Sequence, residues 1–130
     1  GIVMKIRNGF VSNSSSSRFI ISVPKGNLLT EDLLIKAFDV SRTSPMYPIA
    51  AAMARVFISK SDKIESVAKA VYDDGFDEKY LTNLASRNRD IYVGTIDDQE
   101  YQEDGMNVAL CNTGFNYIRE ELTIYKEAGY

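Results

Sequence analysis

Phe19-Ile20-Ile21-Ser22-Val23 is β-branched or aromatic at every position but Ser22, and it is stopped by Pro24, Gly26 and Asn27. Residues of this kind fit a pleated, packed surface, and an apolar run bounded by turn formers reads as a buried strand. A buried strand cannot stand alone, so the rest of the chain must supply what covers it. Downstream, Thr30 is placed to cap a first helix, with Glu31 and Asp32 complementing the positive end of its dipole and Leu33, Leu34, Ala37 and Phe38 on one face. Ser41 to Pro48 reads as a loop. Pro48 suits the first position of a second helix, whose core stripe is Ile49, Ala52, Met53, Val56 and Phe57.

Asp62 and Glu65 have capping-box spacing, which predicts a third helix opening at Asp62, carrying Ile64, Val67, Ala68, Val71 and Tyr72, and ending at Gly75. A short fourth helix is expected from Asp77, with Tyr80, Leu81, Leu84 and Ala85, closed by Arg87-Asn88-Arg89. The segment Asp90 to Ile96 is a strand by its β-branched and aromatic content. It enters an acidic loop running to Gly105. Met106 to Asn112 is expected as a helix stopped by Gly114. Phe115 to Arg119 and Leu122 to Lys126 alternate as one bent strand or two short ones, with Glu120-Glu121 at the bend. The order is strand, a run of helices, strand, helix, strand. It predicts a single α+β domain over residues 1–130, a small sheet of about three to four strands covered by about four to five helices.

Composition narrows the chemistry. The chain has 130 residues, 45% hydrophobic and 25% charged, as in a soluble globular fold able to bury roughly two-thirds of its unfolded surface. Fifteen basic and eighteen acidic side chains leave a net charge of −3, so no overall positive field draws in a phosphate backbone. Nucleic acid is therefore not the expected partner; Lys5, Arg7 and Arg18 are the one local basic group. Cys111 is the single cysteine, which rules out an intrachain disulfide and fits a reducing cytoplasm. The apolar stretch from Pro48 to Ala54 is too short to span a bilayer, and no signal peptide is expected. Met4-Lys5 reads as a natural start, with residues 1–3 as additions, and the sequon Asn13-Ser14-Ser15 then carries no meaning.

The chain has no histidine, which excludes Ser-His-Asp triads, histidine-ligated zinc and histidine bases. Cys111, between Leu110 and Asn112, reads as a packed thiol without an activating base. The adjacent carboxylates Asp73-Asp74 and Asp97-Asp98 read as surface charge. No catalytic set, metal site or cofactor is recognised. Tyr92, Tyr117 and Tyr125 fall on predicted strands, where tyrosine closes the edge of a core rather than stacking on bases.

Two segments offer binding chemistry. Ser14, Ser15, Ser16 and Ser17, flanked by Arg7 and Arg18, present hydroxyls and turn amides that suit an anion nest; they equally suit modification, or a structural role satisfying backbone groups between apolar anchors. Gly9 is the tract's one glycine and no Gly-Lys-Ser/Thr element is present, so it is not a P-loop. Asp97, Asp98, Glu100, Glu103 and Asp104 form an acidic loop whose spacing does not match an EF-hand and which suits a basic partner or a solvated turn.

The segment Met4 to Ile21, with Phe10-Val11-Ser12-Asn13, the serine run and Phe19 followed by aliphatics, resembles a recurrent N-terminus of small uncharacterised phage-type proteins. Arg18 departs from that pattern, standing where another serine is common. The resemblance marks residues 7–18 as a family-type Ser-rich segment. It implies a bacteriophage-encoded protein in the bacterial host cytoplasm and assigns no residue role. The expected function is that of a small accessory protein binding a host or phage protein. The alternatives are a nucleotide or phosphate-ligand binder using the Ser-rich segment, and a virion or assembly component.

Overall fold

The computed structural model describes residues 16–97 and 113–127, and in it the run from Phe19 to Val23 lies within strand β1 (Ser16–Pro24). The other elements are α1 (Glu31–Ala37), α2 (Tyr47–Lys60), β2 (Asp62–Lys63), α3 (Val67–Asp74), α4 (Glu78–Ser86), β3 (Arg89–Asp97), β4 (Phe115–Ile118) and β5 (Thr123–Lys126). The sheet runs β2-β3-β1-β5-β4 with every neighbouring pair antiparallel. The domain is α+β as expected. The described sheet has five strands rather than three to four, because the tail forms two strands and Asp62–Lys63 adds a short one.

Strand β1 is central, and its alternation explains its composition. Phe19, Ile21 and Val23 point to one face, where they pack with Leu34, Ile35 and Ala37 of α1, Ala50, Ala54 and Phe57 of α2, and Ile96 and Ile124 of the flanking strands. Ile20 points to the other face, among Ala70 of α3, Phe76, Leu81 and Leu84 of the α3–α4 corner and α4, and Ile91 and Val93 of β3. Helices thus lie on both sides of the sheet. A strand covered on both faces has no wet side, which is why its run is apolar except at Ser22, whose hydroxyl is hydrogen-bonded to Thr123 and Arg89.

Local signals hold at most helix ends. The Thr30 hydroxyl accepts from the Leu33 amide at 3.2 Å, and Asp77 Oδ1 accepts from the Tyr80 amide at 3.1 Å. Gly75 ends α3 with φ +73°, a left-handed conformation that a Cβ would strain. Pro48 sits in the first turn of α2, one residue after its start at Tyr47. The capping box at Asp62 is corrected by the structure. Asp62 and Lys63 pair with Val93 and Tyr92 at the sheet edge, and the Ile64 amide donates to the Ile91 carbonyl at 3.0 Å. Helix α3 starts only at Val67, where the Ser66 hydroxyl accepts from the Lys69 amide at 3.2 Å. Strand pairing claims the residues that local spacing assigned to a helix.

Gly94 faces Phe19 across the β1–β3 ladder. A Cβ there would collide with the Lys60 carbonyl at the end of α2 and with the Phe19 ring, so the close approach of helix and sheet at this point requires glycine. The expected turn at Asn8-Gly9, the acidic loop beyond Asp97, the helix Met106 to Asn112 and Cys111 lie outside the described residues.

Candidate functional site

The α3/α4 pair covers only part of its face of the sheet. Leu81 and Leu84 seat α4 over Ile20, Ile91 and Val93, and Phe76 fills the α3–α4 corner. Strands β5 and β4 extend beyond this cover. By register, Tyr125 stands opposite Ile20 and beside Asn116, and Thr123 stands opposite Ser22 and beside Ile118, all on this face. Tyr125 is 38% exposed and Ile118 68%, values that contrast with the buried residues under α4.

Between α4 and the uncovered strands lies an open cleft of about 550 Å³. Phe76, Asp77 and Tyr80 form the helix wall, and Ile20, Asn116 and Tyr125 form the sheet wall. The Tyr80 and Tyr125 rings meet edge to face, with centroids 5.2 Å apart. Arg18 and Glu127 close one end: Glu127 Oε1 accepts from the Arg18 amide at 3.0 Å and lies 3.6 Å from the guanidinium. The guanidinium reaches across to Gly75, at ordinary contact distance from where a Cβ would stand.

Beneath the cleft runs a polar network. Ser22 and Thr123 share a 2.6 Å hydroxyl–hydroxyl hydrogen bond while both are buried. Arg89 Nε donates to Ser22 Oγ at 2.7 Å, Nη2 to the Ser22 carbonyl at 3.2 Å, and Nη1 to the Glu120 carbonyl at 3.3 Å. Burial, and then the charge of Arg87, lowers the Arg89 guanidinium from its ordinary value. Burial raises the Tyr80 hydroxyl above its ordinary range, against a hydrogen bond with Thr123 that lowers it. Every polar group in the network has a partner, so it supports the cleft wall at low cost in desolvation.

The sequence-predicted residues divide between the faces. Ser16 is paired with Asp97 and Ser17 with Ile96, so the serine run ends inside the sheet rather than before it. Ser17 is 1% exposed, and its hydroxyl has no hydrogen-bond partner among the described residues. Arg18 points to the opposite face, into the cleft. Neighbours on a strand cannot present to one ligand on one face, so Ser17 and Arg18 do not act together. Asp97, from the acidic set, lies on the Arg18 side: Thr95 is the partner of Arg18, and Asp97 is two residues further on. Residues far apart in sequence are thereby brought to one end of one face. Arg7, Ser14, Ser15, Asp98, Glu100, Glu103 and Asp104 lie outside the described residues.

Of the three strand tyrosines, Tyr92 and Tyr117 pack against the α1/α2 core, and Tyr125 faces the cleft. Asp77, Tyr80, Asn116 and Glu127 carried no functional signal in the sequence. Asp77 read as the start of the fourth helix and Tyr80 as one of its apolar positions; Asp77 caps that helix and Tyr80 packs on the core. Among the described residues no cluster of three or more acidic, cysteine or histidine side chains is placed to hold a metal, and no helix is long and apolar enough to cross a membrane. A second, smaller cleft of about 250 Å³ lies where Lys36 and Asp39 meet Arg119 and Glu121. Lys36 and Glu121 approach within 3.5 Å there. Comparison with protein-family models, with curated proteins and with solved structures finds no match.

Proposed function

We propose that the protein is a small phage-type accessory protein that works in the bacterial cytoplasm by binding another protein. The observation that carries this reading is the uncovered sheet face beside α4, where a tyrosine pair and both signs of charge line an open cleft and Ile118 stands exposed on the same face. Tyrosine and arginine are enriched where proteins meet, because they combine apolar area with a polar tip. The phage assignment rests on the N-terminal segment Phe10 to Phe19.

The phosphate reading draws less support from the same cleft. Among the described side chains of that residue set Arg18 is the one that reaches it, and its cation is already paired with Glu127, with Asp77 also lining the cleft. An anion entering would meet two carboxylates.

A photo-reactive phenylalanine analogue placed at Tyr125 in the full chain, expressed in a bacterial host with and without infection, tests the reading. The expected result is a discrete protein adduct that disappears when Ile118→Glu is added. The same analogue at Arg55, on the exposed side of α2, serves as the control. Equal adducts from both positions, or none from Tyr125, would remove this face from the function. Whether the adduct is a host protein, a phage protein or a particle component separates the three biological settings.

A further inference from the structure

We infer that the cleft beside α4 takes a basic side chain, an arginine or lysine presented by the protein partner. This rests on the binding reading above and names the chemistry of what binds.

Charge complementarity points that way. The cleft holds one cation, Arg18, and two carboxylates, Asp77 and Glu127. Arg18 and Glu127 offset each other across 3.6 Å. Asp77 has no cation within ion-pair distance among the described residues; one of its oxygens accepts from the Tyr80 amide as the α4 cap, and the carboxylate remains exposed. Among the lining residues the net excess is one negative charge, carried by Asp77 three residues before Tyr80, while the Arg89 cation is held in the network behind by Ser22 and the Glu120 carbonyl. Aromatic faces attract cations through the ring quadrupole, and a guanidinium or ammonium seated over them keeps its stem on apolar surface. Arg18 itself illustrates the fit: its guanidinium already lies at the same α3–α4 corner, against Gly75. An incoming cation would lie further along the cleft, between Asp77 and the tyrosine pair.

The acidic cap is not sufficient by itself, because a carboxylate at a helix start is ordinary. The tyrosine pair, Tyr80 on the same wall and Tyr125 on the facing one, is the independent feature. Tyr80 is anchored by packing on the α3/α4 core, and Tyr125 meets it edge to face from the sheet while staying 38% exposed.

Isotope-labelled full-length protein titrated with three blocked alanine-rich peptides, differing only in a central Arg, Gln or Glu, tests the inference by NMR. The Arg peptide is expected to give saturable shifts at Tyr80, Asn116 and Tyr125. The Gln peptide should bind more weakly by about two- to fivefold, the scale of one exposed charge pair. Asp77→Asn, which keeps the cap, should weaken the Arg peptide by a similar factor and leave the Gln peptide unchanged. Tyr125→Leu should weaken the Arg peptide selectively by about twofold or more through the lost cation–π contact. Equal or tighter binding of the Glu peptide in the cleft, or no saturable shift there with the Arg peptide, overturns the inference. In either case the Tyr125 adduct decides the binding reading separately.

Discussion

On the α1/α2 side of the sheet, Phe19 meets Phe57 edge to face at 4.9 Å, and Phe38 and Phe115 extend the cluster, with Phe57 fully buried among them. On the α3/α4 side the cover stops at β1, and the remaining strands carry a polar network and a half-open tyrosine pair. One sheet thus has a closed face and a partly open face. The closed face has dense aromatic packing, and the clefts of about 250 and 320 Å³ at the edges of α1 are smaller than the one beside α4. The open face leaves apolar area in water, and apolar area exposed beside organised polar groups is how binding surfaces are built.

The largest expected effect lies on the closed face. Phe57→Ala should destabilise the fold by about 3–5 kcal/mol, seen as a lower midpoint in urea unfolding, because it removes the ring on which Phe19, Phe38 and Phe115 converge. A loss below about 1 kcal/mol would mean that this face is not the dominant core. Next, Gly94→Ala should cost about 1–3 kcal/mol, since its Cβ meets the Lys60 carbonyl, a backbone atom that cannot swing aside. Thermal melting with no change in midpoint would refute the close approach.

On the open face the effects should be smaller and of a different kind. Arg89→Met removes three donors and leaves Ser22 and Glu120 short of partners, at about 1–2 kcal/mol by urea unfolding. Tyr125→Ala should cost about 1 kcal/mol or less in stability. Its effect should appear instead as loss of the partner adduct formed from a second photo-reactive position, at Asn116. If Tyr125→Ala proves as damaging as Phe57→Ala, the contrast between the faces fails.

The smallest effect is a pH dependence at the β3 start. The Gly26 amide donates to Asp90 at 3.1 Å and Lys63 lies 3.6 Å away, and these hold the Asp90 carboxyl below its ordinary value. A depressed folded value gives a stabilising contribution that is fully present above the unfolded value, about 3.9. It is lost as pH falls through the folded value. Asp90→Asn should therefore shrink the stability difference between pH 7 and acid. An unchanged acid limb would show that Asp90 is not coupled to folding.

Much of the fold was legible because its signals are local. Thr30, Asp77 and Gly75 act within one helical turn of their own positions, and the β-rich run at Phe19 needs only its neighbours to be recognised. Asp62 was misleading for the same reason: capping-box spacing is a local pattern, and it lost to a ladder with Tyr92 and Val93, residues two helices away in sequence. The candidate site was barely legible. Arg18 and Asp97 stood out, but Asp77, Tyr80, Asn116 and Glu127 look like ordinary cap, core and strand residues until β5 pairs with β1 and α4 stops short of it.

By itself, then, the sequence determined most of the helix ends, the start of α3 excepted, with the central strand and the absence of histidine chemistry, because propensity, capping and side-chain inventory are properties of a residue and its near neighbours. Tertiary structure alone decided that the serine run ends inside a sheet, that Ser17 and Arg18 part to opposite faces, and that a cleft opens between Tyr80 and Tyr125. Strand order and helix coverage come from long-range pairing, and no local pattern in the chain encodes which part of a face is left uncovered.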